Sequence, residues 1–176
     1  MASNSIKLSF LVFLAMFICT SEGEFDQLKK TKMSLYFQDF TSGPNATVIQ
    51  VIPQPNGTLN FTKFGAIFVT DDPITEGFDA SSAEVGRAQG MYVTSALNGS
   101  NTHVLISIVF TNKEYTGSTL ELQGRSIQFD EVREVAVVGG TGKFRLARGY
   151  VTFETIYYDP TISYAVILCN VTVFHY

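Results

Sequence analysis

The feature that most constrains this chain is its spacing of short β-prone runs. After the first residues, no apolar stripe of helical period has useful length. Instead, runs of β-branched and aromatic residues recur between turn signals at Met33–Phe40, Thr47–Ile52, Phe64–Thr70, Arg87–Ala96, His103–Thr111, Ser118–Gly124, Val132–Val138, Leu146–Tyr157 and Ser163–Phe174. Many short antiparallel strands in one domain make a sandwich or a barrel, and periodicity does not choose between them. Asn98-Gly99 predicts a two-residue type I′ hairpin, because both residues accept positive φ. Asp71–Glu84, with Asp-Asp-Pro and small residues, reads as a long loop in which Asp71 and Asp72 serve an Asp-Pro turn.

Val138-Gly139-Gly140-Thr141-Gly142-Lys143-Phe144-Arg145 has the look of a phosphate loop and fails each test for one. The Walker pattern needs Ser or Thr after Gly-Lys, where Phe144 stands, and Gly at Val137. The dinucleotide spacing fails at Arg145. A tight glycine turn between strands, with Gly139, Gly140 and Gly142 supplying the reversal, is the reading that remains.

Residues 1–23 read as a secretory signal: a basic Lys7, an apolar run from Leu8 to Cys19 too short to span a bilayer, and small residues offering cleavage after Ser21 or Gly23. Residues 24–176 then form one secreted domain, large enough for a sizeable core. The whole chain has 15 Phe, 8 Tyr, no Trp and only 16% charged residues, a composition that suits a large apolar interior or a broad subunit interface. A net charge of -4 without a basic stripe excludes a nucleic-acid partner. Removal of the signal leaves Cys169 alone, so no intrachain disulfide can form, and the thiol reads as a small buried hydrophobe. Asn45, Asn56, Asn60, Asn98 and Asn170 lie in glycosylation sequons and, in a secreted chain, mark its surface. His103 and His175 are the only histidines, so no zinc site is expected, and no Gly-x-Ser-x-Gly elbow supports a serine hydrolase. No metal or cofactor is implied, and any oxidant must come from elsewhere.

Parity along the strands selects candidate site residues. Met33, Leu35, Phe37 and Asp39 share one face, so Asp39 continues an apolar row. A carboxyl there loses hydration, which favours its neutral form and suits it to general-acid work. The competing reading is an outward Asp capping the Thr41-Ser42-Gly43 turn. Glu134, before the glycine turn, can join Asp39 as an acid pair at a barrel mouth or lie exposed beside Arg133 or Arg125. Arg148, between Ala147 and Gly149, can hold a phenolate or carboxylate through its fork, or form a structural ion pair. Tyr92 and Phe37 are candidates to line a pocket for an aromatic ligand, with ordinary core packing as the alternative for the tyrosine. In the last strand, parity puts Ala165, Ile167, Cys169, Val171 and Val173 inside and Asn170 outside.

Five motifs in register carry a family resemblance, together with the glycine turn: Leu35-Tyr36-Phe37-Gln38-Asp39, Val69-Thr70-Asp71-Asp72-Pro73-Ile74-Thr75, Val85-Gly86-Arg87-Ala88-Gln89-Gly90-Met91-Tyr92, Tyr115-Thr116-Gly117-Ser118-Thr119-Leu120 and Asn170-Val171-Thr172-Val173. The chain resembles the plant dirigent proteins over nearly all of residues 24–176. The resemblance implies an all-β, eight-stranded antiparallel β-barrel of the allene-oxide-cyclase-like kind, so one of the nine runs is an extra edge piece. Such a barrel has room for side chains and one small ligand. It also implies a homo-oligomer, a trimer before a dimer, secreted to the plant apoplast or cell wall. The partners would be phenolic small molecules, phenylpropanoid or isoflavonoid, and an external oxidase, laccase or peroxidase, that supplies radicals. The protein would impose stereoselectivity on radical coupling, as in lignan biosynthesis, or act as a lyase-like acid on a quinone-methide cyclisation, without oxidase activity of its own. Asp39 matches the family's pocket carboxylate. Gln38 replaces the more usual His, and Glu134 replaces the Asp of lignan-forming relatives, which leans the resemblance towards the isoflavonoid-associated subgroup. Two alternatives stand beside it: a lipocalin-like carrier that binds aromatic ligands without turnover, and a fatty-acid-oxide cyclase, which the secretion signal disfavours.

Overall fold

The structure is a computed structural model and describes residues 27–52 and 59–176. The signal expected at residues 1–23 and the sequon at Asn56 lie outside the described residues. Nine strands follow in order: β1 (Lys29–Phe40), β2 (Val48–Gln50), β3 (Ile67–Thr75), β4 (Glu84–Thr94), β5 (Asn101–Phe110), β6 (Thr119–Ile127), β7 (Arg133–Thr141), β8 (Arg148–Asp159) and β9 (Tyr164–His175). All pairings are antiparallel in the order β1-β9-β8-β7-β6-β5-β4-β3-β2, and β1 also pairs with β3 through Tyr36↔Thr75 and Phe37↔Ile74. That pairing closes eight strands into a barrel, and the three-residue β2 is the extra edge piece.

Inward and outward residues alternate as the parity argument requires. Leu35 and Phe37 of β1, and Cys169, Val171 and Val173 of β9, are buried in one core with Ile74, Ile108, Leu120, Val135, Val137 and Val151. Met33 and Ile167 pack against that core from the same rows. At the end where Lys29 pairs with His175, Phe110, Tyr115 and Phe144 pack together, and the His175 ring meets Phe144 edge-on at 5.1 Å. At the other end, Val48, Ala66 and Phe68 form a smaller cluster with Leu59, Phe61 and Tyr92.

Three expectations are corrected. The long loop shrinks, because Asp71–Thr75 belongs to β3 and only residues 76–83 remain outside strands. Pro73 is tolerated there because β3 changes partner. The Asp71 N–H faces the β2 side, donating to Thr47 O at 2.9 Å, and by alternation Pro73 faces the same side beyond the end of β2. No ladder donor is missed. The Asn98-Gly99 hairpin is a longer turn across residues 95–100: only Gly99 has positive φ (75°), and Asn98 Oδ1 instead accepts the Ser100 N–H at 3.1 Å. The glycine turn begins later than expected. Gly139 and Gly140 lie in β7, and the reversal falls on the 3₁₀ turn Gly142–Phe144. Gly140 is needed for close approach, since a Cβ there would sit 2.6 Å from both Thr119 O and Phe144 O.

Candidate functional site

The site is built where β1 and β3 separate. Continuing their register from Phe37↔Ile74 by two residues sets Asp39 opposite Asp72. Asp39 shares the inward face of Leu35 and Phe37, and Asp72 shares that of Phe68, Thr70 and Ile74. Two carboxyls therefore meet inside the barrel.

Their surroundings differ. Asp72 is buried and well held: Oδ1 accepts from Thr47 Oγ1 at 2.5 Å and Oδ2 from Thr70 Oγ1 at 2.7 Å. Asp39 Oδ1 is shut off from solvent and has no hydrogen-bond partner among the described residues. Burial, followed by the nearby Asp72 charge, pushes the Asp39 carboxyl up to about 8. Burial also raises Asp72, but the Thr47 and Thr70 hydroxyls pull against it and leave it at about 6. Desolvation penalises both anions, and only Asp72 has donors to offset that penalty. Asp71, one residue on, points outward. Its hydrogen bond from Arg87 Nε at 2.9 Å holds its carboxyl below the usual range.

Aromatic rings complete the site. Tyr92 stacks on Phe68 at 5.0 Å, and Phe68 stacks on Phe61 at 4.8 Å. Burial and the two carboxyls push the Tyr92 hydroxyl well above its ordinary value, so it stays protonated. Phe37, buried deeper on β1, meets Phe153 edge-on at 5.7 Å and belongs to the core beneath Asp39. The arrangement offers flat apolar walls, a phenol donor and a neutral carboxylic acid.

Of the residues expected from sequence, Asp39 and Tyr92 come together, near enough for the carboxyl's charge to act on the phenol. The expected partnership of Asp39 with Glu134 and Arg148 is corrected by the geometry. Glu134 is exposed on β7 between the inward Val135 and the outer strand end, paired across from Thr152. Arg148 is exposed at the start of β8, where its Nη1 donates to Ala147 O at 2.7 Å. Its strand register puts it level with Phe174 and Lys30, nine residues before Asp39 on β1, about 30 Å along the sheet. The second carboxyl of the site is Asp72, which the Asp-Pro turn reading missed. The alternation Phe68, Thr70, Asp72, Ile74 was its available signal.

Gln38 points away from the barrel interior. Its Nε2 donates to Thr75 Oγ1 at 2.7 Å and to Phe78 O at 3.4 Å, and its Oε1 accepts from the Tyr164 hydroxyl. It clasps the segment 76–83 to β1 and β9 and does not touch the Asp39 carboxyl. Cys169 is free and buried, and burial pushes its thiol up. Among the described residues, no helix is long and apolar enough to cross a membrane.

A closed eight-stranded antiparallel barrel with a buried carboxylic acid in an aromatic interior defines the class of protein. The comparisons with known proteins agree on a family. The family model described as Dirigent-like protein matches residues 30–174. Dirigent protein 1 of Arabidopsis thaliana is 44% identical over 144 residues, covering 80% of this chain and 79% of the relative. Pterocarpan synthase 1 of Glycyrrhiza echinata is 36% identical over 154 residues, covering 86% and 81%. A solved pterocarpan synthase dirigent protein superposes with a TM-score of 0.76 at 35% identity, covering 88% of this chain and 89% of that one. The chain belongs to the dirigent family.

Proposed function

We propose that this protein binds phenolic molecules, phenylpropanoid or isoflavonoid, in its barrel and imposes stereochemistry on their coupling or cyclisation. The observation that carries this reading is Asp39, whose Oδ1 is sealed from solvent and unpartnered at the aromatic end of the barrel. A neutral acid in that place can donate to a ligand oxygen, while Tyr92, backed by Phe68 and Phe61 in one stack, offers its outer face to a planar ring.

Two reactions fit. With an external oxidase, the barrel holds phenoxy radicals so that one face couples, and the protein supplies positioning alone. Without one, Asp39 gives its proton to the hydroxyl of an isoflavanol-like substrate and water departs with the bonding pair. The adjacent phenol ring delocalises the positive charge as a protonated quinone methide. A second phenol oxygen then adds to that carbon, and its proton returns to the Asp39 carboxylate. The resemblance to pterocarpan synthases favours the second route.

The same reading includes secretion, consistent with exposed sequon residues at Asn45, Asn60 and Asn98 and an outward Asn170. It includes a homo-oligomer, a trimer before a dimer. Ile49, Val69, Met91 and Leu105 are exposed and lie in register across β2, β3, β4 and β5, an apolar row that a subunit contact would cover.

The test is chiral product analysis with coniferyl alcohol plus an oxidase, beside a panel of isoflavanols without one. Stereochemical bias in either arm, and its loss in Asp39→Asn with a rate drop on the order of 10²–10⁴, supports the reading. Binding of phenols without bias or turnover would make the protein a carrier.

A further inference from the structure

Asp72 has an arrangement that Asp39 lacks. Thr47 Oγ1 accepts the Phe40 N–H at 3.0 Å, and its own proton points to Asp72 Oδ1. Thr70 points its proton to Oδ2. A hydroxyl has one proton to give. Protonating Asp72 would face its new O–H against one of these donors and force that threonine to turn away. Nothing comparable opposes a proton on Asp39, where an ionised Oδ1 would be buried without any donor.

We propose that Asp72 is the positioning residue of this site: its carboxylate, fixed by the Thr47 and Thr70 hydroxyls, confines the pair's single proton to Asp39 and leaves the unpartnered Asp39 carboxyl as donor to the ligand. The proposal deepens the acid role given to Asp39 and rests on it for its consequence in catalysis. Other charged or titrating groups around the pair are few. Tyr92 faces both carboxyls from β4 and stays a neutral phenol. Arg87 and Asp71 lie on the outer side of β3 and β4, bound to each other, and act on Asp72 in opposite directions. The order of titration, Asp72 before Asp39, agrees with the hydrogen-bond pattern.

Carbon-13 NMR of the aspartate carboxyls tests this directly in the intact protein, with Asp39 and Asp72 assigned by their loss in Asp39→Asn and Asp72→Asn. Asp72→Asn should lower the Asp39 midpoint by at least about one pH unit, a tenfold loss of proton affinity. Thr70→Val should raise the Asp72 midpoint and lessen or reverse the gap between the two. An Asp39 midpoint unmoved by Asp72→Asn overturns the proposal. So does an unmoved Asp72 midpoint in Thr70→Val, which also serves if Asp72→Asn does not fold. The alkaline limb of the pH–turnover profile should follow the Asp39 midpoint in each variant. If the midpoints move as stated and the profile does not, the pairing stands and the acid role of Asp39 is what fails.

Discussion

Asp39→Asn should flatten a pH dependence of stability that the wild-type chain shows on its alkaline side. In the folded protein the Asp39 carboxyl releases its proton at about 8, against 3.8 for an unhindered aspartate. From pH 6 to pH 8 the unfolded chain has already lost that proton and the folded one still holds most of it. Unfolding then releases a proton, so stability falls as pH rises through this window. A full proton is worth about 1.4 kcal/mol per pH unit, and allowing for partial ionisation near the midpoint the loss is about 2 kcal/mol. For a domain of this size that corresponds to about 4–8 °C in Tm. Salt should change it little, because the carboxyl oxygen is shielded from solvent. The assay is urea unfolding of wild type and variant at both ends of the window, at one protein concentration throughout. Parallel loss of stability in the two proteins would show that Asp39 is not protonated in the folded state, and the reasoning about the site would fall with it.

Gln38→Ala should cost about 1–3 kcal/mol by removing the Tyr164 hydroxyl's acceptor and the clasp on Thr75 and Phe78, and should raise amide exchange across residues 76–83 while the Asp39 titration stays in place. Gly149→Ala should destabilise by at least about 3 kcal/mol in thermal unfolding, because the added methyl would meet Thr172 O at 2.0 Å across β8 and β9. Met91→Glu with Leu105→Glu should give a monomeric mass in sedimentation while preserving the barrel's circular dichroism. The purified wild-type protein should oxidise no phenol unless an oxidant is added, as oxygen-uptake measurement would show.

Strand rows were legible in the sequence because β-alternation is a local rule. Leu35, Phe37 and Asp39 fall inside, as do Cys169, Val171 and Val173, because nothing between them breaks the two-residue repeat. Barrel closure was not local. Periodicity left sandwich and barrel open, and the family resemblance chose between them. The site was read by half. Asp39 stood out because a charge ended an apolar row. Asp72 did not, because Asp-Pro is a turn signal and the gap that accommodates Pro73 comes from β3 passing from β2 to β1, a tertiary event. Glu134 and Arg148 were attractive as charges near glycines. Each, however, occupies the outward phase of its strand, and the neighbouring Val135 and Val151 were the residues to weigh. Gln38 shows the same limit from the other side, since its partners come from segments 37 and 126 residues away.

The pairing of β1 has a consequence for biosynthesis. All twelve residues of Lys29–Phe40 find partners on β9, whereas only Tyr36 and Phe37 find them on β3. The earliest strand to leave the ribosome must therefore wait for the latest, a delay on the order of ten seconds at ordinary elongation rates. During that interval its backbone is an open edge that another nascent chain could capture. Lys29, Lys30 and Lys32, clustered at its leading end and exposed in the finished barrel, put positive charge on that edge and discourage such capture.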